Sequence, residues 1–220
     1  MHLVEGVVVE RWCVGRHRAN AYLVYGPDCK ALVVDPGSEA ERLLERCGQL
    51  KLAIGAVVLT HAHFDHVGAA EAVSRFANIP VRVHRDDVRL LKQAPIYGLR
   101  IDNVRIAPIT RIEHLEDCQR IVVSETVGVT AVHAPGHSPG GVCLILDRAV
   151  FTGDTLLPGG ARRDDWPSAS PPQLARTLEA LRDRIEVDSR FFPGHGASFN
   201  SQEARDYIDR ALTRSGGEAQ

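Results

Sequence analysis

Apolar and polar positions fall into two kinds of stretch along the chain. Short β-branched runs end in Gly, Pro, Asn or Asp, and between them apolar residues recur every three or four positions. The first kind predicts strands and the second amphipathic helices. Residues 7–9, 21–25 and 31–34 read as strands, the last stopped by Asp35-Pro36-Gly37. Ser38 is placed to cap a helix over 39–46, with Gly48 as its stop. A buried strand over 53–59 precedes a helix over 67–76, ended by Asn78 and Pro80. A strand over 81–83 and a helix over 86–92 follow. Residues 93–112, with Pro95, Gly98 and Pro108, predict an irregular excursion, either a plain surface loop or the rim of a pocket. Further strands are predicted over 121–124, 128–133, 141–146, 149–152 and 190–192. A helix over 171–184 sets Leu174, Leu178 and Leu181 on one stripe, and another covers 202–212 before a polar tail that frays from Thr213. Two batches of strands, each with helices around it, predict an α/β architecture of two sheets packed face to face with helices outside.

Length and composition narrow this picture. The 220 residues suit one domain over 1–220, with little room for a second. A composition 44% hydrophobic and 25% charged is that of a globular chain, which excludes the disordered class. No apolar run is long enough to span a bilayer, and the N-terminus carries neither a basic leader nor a small-residue cleavage site. With a formal net charge of −2 and no basic stripe, nucleic acid is not an expected partner, and a small-molecule substrate is. The five cysteines are odd in number, irregularly spaced and without a C-x-x-C pair. They argue against a disulfide scaffold or a cysteine zinc site, and for reduced thiols in the cytoplasm. Oligomeric state is left open.

The sharpest chemical signal follows the strand over 53–59, where Thr60-His61-Ala62-His63-Phe64-Asp65-His66 packs three imidazoles and a carboxylate into six residues. In extended chain, positions two apart face the same way, so His61 and His63 can grip one ion. The chain then turns into a helix, and Asp65 and His66 are offset so as to address a second ion. Imidazole and carboxylate suit zinc, iron and manganese. Three more ligand types share one local context, a strand end followed by a Gly or Pro turn: His137 after Ala134-Pro135-Gly136, Asp154 after Gly153, and His195 after Pro193-Gly194. Loops at one sheet edge are where such groups converge. A lone Gly-Asp or Pro-Gly-His is usually only a turn, and it is the ordered set that points to a metal centre. His84 and His133 sit on or beside strands and read as structural, while His2, His17 and His114 have no partner that the sequence can name.

Taken in order, His61-x-His63-x-Asp65-His66, His137, Asp154 and His195, preceded by Asp35 in Val33-Val34-Asp35-Pro36-Gly37, resemble the five-motif signature of the metallo-β-lactamase superfamily, from about residue 20 to 195. The resemblance implies an αββα sandwich with two divalent metal ions, zinc or else iron or manganese, at the shared edge of the sheets. It implies that His61, His63 and His137 hold the first metal, that Asp65, His66 and His195 hold the second, and that Asp154 bridges them. Asp35 would orient a ligand or hold its turn.

Such a centre lowers the pKa of bound water from about 15.7 to about 7, which makes a bridging hydroxide available as nucleophile. Asp65 can orient that nucleophile and take its proton. A thiolate, with an ordinary pKa near ~8.5, leaves without a general acid, so a thioester is the easiest substrate. The stretch from Gly153-Asp154-Thr155 to Asp165-Trp166-Pro167 resembles single-domain glyoxalase II-like proteins, which implies S-acyl glutathione thioesters as substrates. Arg163, Asp165 and Pro167 fit that pattern, whereas Arg162 and Asp164 depart from it. Arg162 and Arg163 are the candidates for holding substrate carboxylates. A mononuclear iron persulfide dioxygenase and a dinuclear lactonase are the alternatives that share these ligands.

Overall fold

The structure, a computed structural model, describes residues 1–4, 6–160 and 168–216. Among these, seven strands form one sheet in which spatial order follows sequence order: β1 (His2–Val4), β2 (Val7–Val14), β3 (Ala19–Tyr25), β4 (Lys30–Val34), β5 (Ala53–Val58), β6 (Val81–His84) and β7 (Ile112–Leu115). The pairs from β1 to β4 are antiparallel and those from β4 to β7 parallel. Helices α1 (Ala40–Leu50), α2 (Phe64–Val67), α3 (Ala70–Ala77) and α4 (Val88–Tyr97) lie in the crossovers that parallel pairing requires. A second sheet has the order β13 (Phe199–Asn200), β12 (Arg190–Pro193), β11 (Ala149–Gly153), β10 (Val142–Leu146), β9 (Gly128–His133), β8 (Gln119–Val122). Its one parallel pair, β11 with β12, is connected through α5 (Pro171–Asp183), and α6 (Ser201–Gly216) follows β13. No helix among the described residues is long and apolar enough to cross a membrane.

The layers follow from the two-residue period of strands. On β3 and β4, Tyr22, Val24, Leu32 and Val34 face the second sheet and meet Val142, Leu144, Phe151 and Phe192. Their sequence neighbours Leu23, Ala31 and Val33 face the helices and meet Leu43, Val73, Leu90 and Leu91. Both faces of these strands are buried, which is why they read as unbroken apolar runs. On the second sheet, Cys143, Val150 and Phe191 pack against Leu174, Leu178, Ala204 and Ile208 of α5 and α6. The result is the αββα sandwich. Between the sheets, Tyr22, Phe151 and Phe192 meet with ring centroids 5.1–5.8 Å apart, contacts worth about 0.5–1.5 kcal/mol per pair beyond burial.

Several boundaries differ from the sequence expectation. The single helix predicted over 67–76 is two, α2 and α3, broken at Gly68-Ala69. There the Gly37 carbonyl accepts the Ala69 N–H at 2.7 Å, and a Cβ on Gly68 would lie 2.5 Å from that oxygen. Ser38 does not cap α1. Glu39 takes that place with φ 64°, and the helix runs through Gly48 until Lys51 closes it at φ 55°. The excursion over 93–112 is helical at first. α4 carries Pro95 and passes into a π turn over Gly98–Asp102, because a residue without N–H opens the helical ladder. β8 ends at Val122, since the Ser124 hydroxyl oxygen accepts the N–H groups of Thr126 and Val127 and turns the chain. The edge strands β1 and β13 are too short to carry a pattern of their own.

Candidate metal centre

Six loops that follow the C-terminal ends of strands meet at one edge of the sandwich. Asp35 follows β4, His61 to His66 follow β5, Asp87 follows β6, His137 follows β9, Asp154 follows β11 and His195 follows β12. The sheets are laced together here. The Val142 N–H donates to the Thr60 carbonyl at 2.8 Å, and the Asn20 N–H donates to the Gly194 carbonyl at 2.7 Å.

All seven sequence-derived ligand candidates are brought to this point. His61, His63 and His137 form one group, all buried, and Asp65, His66 and His195 form another in which only His66 is buried, with ligand atoms within 4.8 Å of one another in each. His137 Nε2 lies 2.8 Å from His63 Nδ1, and His66 Nε2 lies 3.2 Å from His195 Nε2. Asp154 stands between the groups, with Oδ1 3.7 Å from His66 Nε2 and Oδ2 3.7 Å from His137 Nε2 and 3.5 Å from His195 Nε2. Asp65 Oδ2 is 3.4 Å from His195 Nε2. Ligands arranged tetrahedrally at zinc distances are separated by about 3.3 Å, and the spacings here fall around that value.

The donor set fits a cation on a further observation. His61 Nε2 is buried and has no hydrogen-bond partner. Its other nitrogen is engaged, since Nδ1 lies 3.1 Å from Thr60 Oγ1, whose hydroxyl donates to Asp35 Oδ2 at 2.5 Å. With the Thr60 proton committed to Asp35, the proton on His61 sits on Nδ1 and the Nε2 lone pair points inward. Asp35 also accepts the Thr60 N–H at 2.7 Å and approaches His66 Nδ1 at 3.3 Å, so one carboxylate orients an imidazole in each group.

Electrostatics agree. Burial, reinforced by neighbouring imidazoles, holds His61 well below its ordinary pKa. Burial and His137 bring His63 down to about 3. Neutral imidazoles are the ligand form. Burial opposes charge on His66, yet Asp65, Asp35 and Asp154 outweigh it and push this group up to about 10. These carboxylates therefore draw positive charge to the point where a divalent ion would supply it. Burial alone would raise Asp65, but His66 and His195 hold its carboxyl well below the usual range. Asp154 is lowered against its burial by His66, His137 and His195.

Sequence reading missed three residues that build the site. Asp87 Oδ2 accepts the Ala62 N–H at 2.9 Å and the Ser138 hydroxyl at 2.8 Å, while Oδ1 accepts the Gly140 N–H at 2.6 Å. It thus ties the His61–His63 loop to the His137 loop. Asn20 Nδ2 and the Tyr22 hydroxyl both donate to the Pro193 carbonyl, at 2.8 and 2.6 Å, and hold the His195 loop. Each is a single polar residue whose partner lies far away in sequence, so no spacing betrays it. Arg162, Arg163 and Trp166 lie outside the described residues. Trp12 packs on Val14, Ala19 and Ala21 with the Arg42 guanidinium 4.8 Å from its ring. His84 and His133 stack in parallel with centroids 4.1 Å apart. His84 Nδ1 accepts the Asp86 N–H and His133 Nε2 bonds the Pro139 carbonyl, and with Asp86 the two rings form a separate, partly exposed set of ligand-type atoms within 4.8 Å of one another. His17, without a partner in the sequence reading, is paired with Asp102 at 2.9 Å.

An αββα sandwich with clustered imidazoles and carboxylates at the common edge of its sheets defines the metallo-hydrolase class. The family model described as the Metallo-beta-lactamase superfamily matches residues 14–195, and the chain belongs to that superfamily. It is 29% identical over 181 residues to the hydroxyacylglutathione hydrolase GloC of Haemophilus influenzae, covering 81% of this chain and 85% of that one. Among solved structures it is similar to the BLEG-1 B3 metallo-beta-lactamase, with TM-score 0.84, 28% identity and coverage of 94% of this chain and 100% of the other. It is also similar to TTHA1623 in a di-iron-bound form, with TM-score 0.81, 32% identity and coverage of 90% and 98%.

Proposed function

We propose that this chain is a dinuclear metal-dependent hydrolase acting on a thioester of the S-acyl glutathione kind. The observation that carries the reading is the Asp154 carboxylate, which lies within reach of both groups: Oδ2 is 3.7 Å from His137 of one and 3.5 Å from His195 of the other, and Oδ1 is 3.7 Å from His66. His61, His63 and His137 would hold one divalent ion and Asp65, His66 and His195 the other, with Asp154 shared. Two such ions, zinc on donor chemistry with iron or manganese as substitutes, supply an acidified water and an electrophile for a carbonyl oxygen.

The chain's own residues supply the rest. Asp65 is ionised at neutral pH and, like His195, is less buried than His61, His63, His66 and His137. Its Oδ2 orients the attacking water and accepts its proton. Asp35, through Thr60, fixes the His61 tautomer that keeps a lone pair on Nε2, and its Oδ2 lies 3.3 Å from His66 Nδ1. The departing thiol needs no proton donor, because its ordinary pKa is near ~8.5. Similarity to GloC supports a thioester, and the di-iron-bound relative supports two metals in one site.

Elemental analysis of the purified protein, run beside a panel of thioesters, lactones, phosphodiesters and a β-lactam, tests this. About two metal ions per chain and fastest turnover of the thioesters are expected. His66→Ala should lower kcat by orders of magnitude and leave the circular dichroism spectrum in place. One iron per chain with oxygen uptake on a persulfide would replace the hydrolase with a dioxygenase, and faster turnover of lactones would replace the substrate class.

A further inference from the structure

A cavity of about 320 Å³ opens against α2, within the size range of small-molecule sites. Phe64 and Asp65 are among its lining residues, and through Asp65 it borders the candidate metal centre. One wall is the turn between β2 and β3, with Arg16 and His17, and another is the segment following α4, with Asp102, Val104, Arg105 and Ile106. His17 Nε2 and Asp102 Oδ1, 2.9 Å apart, join these walls, and the His17 ring stands edge-on to Phe64 at 5.2 Å. The walls are therefore held in place before any ligand arrives.

The charges lining this cleft are unevenly committed. Asp102 is engaged by His17. Glu39 is engaged by Arg42 at 2.9 Å and by the Gly15 N–H at 3.3 Å. Arg16 and Arg105 are both exposed, and neither has an ion-pair partner among the described residues. Glu41, exposed on the first turn of α1, is the opposing acid. Asp65, also in the lining, faces His66 and His195 at 3.7 and 3.4 Å, which leaves two uncommitted guanidinium groups against Glu41, and the planar donor fork of Arg pairs best with a carboxylate. Phe64, Val104 and Ile106 add apolar lining to the same cavity.

Resting on the thioesterase reading, we infer that Arg16 and Arg105 bind the anionic end of the substrate and that its thiol half ends in carboxylate. The carbonyl then lies at the Asp65 end, with the carboxylate held toward the arginines.

The test compares the metal-loaded wild type with R16A/R105A and R16K/R105K on two thioesters, S-lactoylglutathione and its diethyl ester, which keeps the amino group and lacks both carboxylates. In R16A/R105A, KM for the anionic thioester should rise on the order of tenfold or more, with kcat and all constants for the diester unchanged. The lysine pair should restore part of the loss, and salt should raise the wild-type KM for the anion only. An unchanged KM for S-lactoylglutathione in the alanine pair, or equal wild-type KM for the two thioesters, overturns the inference while leaving the thioesterase reading standing. If the wild type cleaves neither thioester, that reading fails by itself, and calorimetric titration with S-methylglutathione decides the rest. Binding lost in R16A/R105A supports the anion site, and absence of binding to the wild type overturns it.

Discussion

The Ser138 hydroxyl donates to Asp87 Oδ2 at 2.8 Å, across a sequence separation of 51 residues. The same carboxylate holds Ala62, between His61 and His63, and Gly140, beyond His137. Asp87 is fully buried, and burial raises its carboxyl above the usual value against these three bonds. It touches none of the candidate ligands. It fixes the distance between the two loops that carry them.

Asp87→Asn should therefore loosen the first metal group without removing a ligand. The amide has one acceptor for three donors, and its NH2 must face an N–H. Affinity for zinc should fall on the order of tenfold or more, as for other residues that orient metal ligands. The change reads in a zinc titration against a chromogenic chelator. Unchanged affinity would refute the role.

Gly194 meets a tighter limit. A Cβ there would lie 2.1 Å from Asp154 Oδ1 and 2.9 Å from His66 Cε1. Gly194→Ala should displace the Asp154 carboxylate, abolish turnover and alter the visible spectrum of a cobalt-substituted sample. Gly48→Ala is the contrasting case, since its added methyl meets nothing within 4 Å on exposed α1. It should stabilise the fold by roughly 0.5–1 kcal/mol in urea denaturation, with activity unchanged.

Away from the site, Glu10 on β2 accepts Arg46 Nη2 at 2.7 Å, Arg46 Nε at 3.1 Å and the Tyr25 hydroxyl at 2.8 Å. The Arg46 hydrogen bond, against burial, lowers the Glu10 pKa from 4.5. A lowered folded-state value means that the carboxylate contributes stability above about 4.5, which disappears as pH falls through the lower value. Glu10→Gln should lower Tm by several degrees at pH 7, and the difference from wild type should vanish on acidification. A difference that persists below pH 3 on this linkage argument would show that packing, not charge, holds β2 to α1.

The thiols divide by environment. Burial pushes Cys143 up to about 12 and Cys47 up to about 11, whereas Cys13, Cys29 and Cys118 are exposed. An aromatic disulfide reagent at pH 8 should titrate three thiols per native chain and five after denaturation. Rapid native reaction of the remaining two would mean that the helix layers open far more readily than their packing implies.

Residue pattern alone was enough for the layers and for the first cluster of ligand-type side chains. Strands buried on both faces must be apolar throughout, and His61, His63, Asp65 and His66 crowd into six residues where chance and structural roles explain them poorly. His137, Asp154 and His195 gained meaning only from their order and resemblance, because each alone is an ordinary turn residue. Tertiary structure decided what depends on meetings between distant loops. Asp87 became the tie between two ligand loops, Asn20 and Tyr22 became the clamp on His195, and Arg16 and Arg105 came to line one cleft. Local propensity acts over a few residues, whereas these contacts are made by polar side chains whose partners arrive only when the two sheets close on each other. The same closure broke the helix expected over 67–76, since the Gly37 carbonyl that ends α2 comes from another strand's loop.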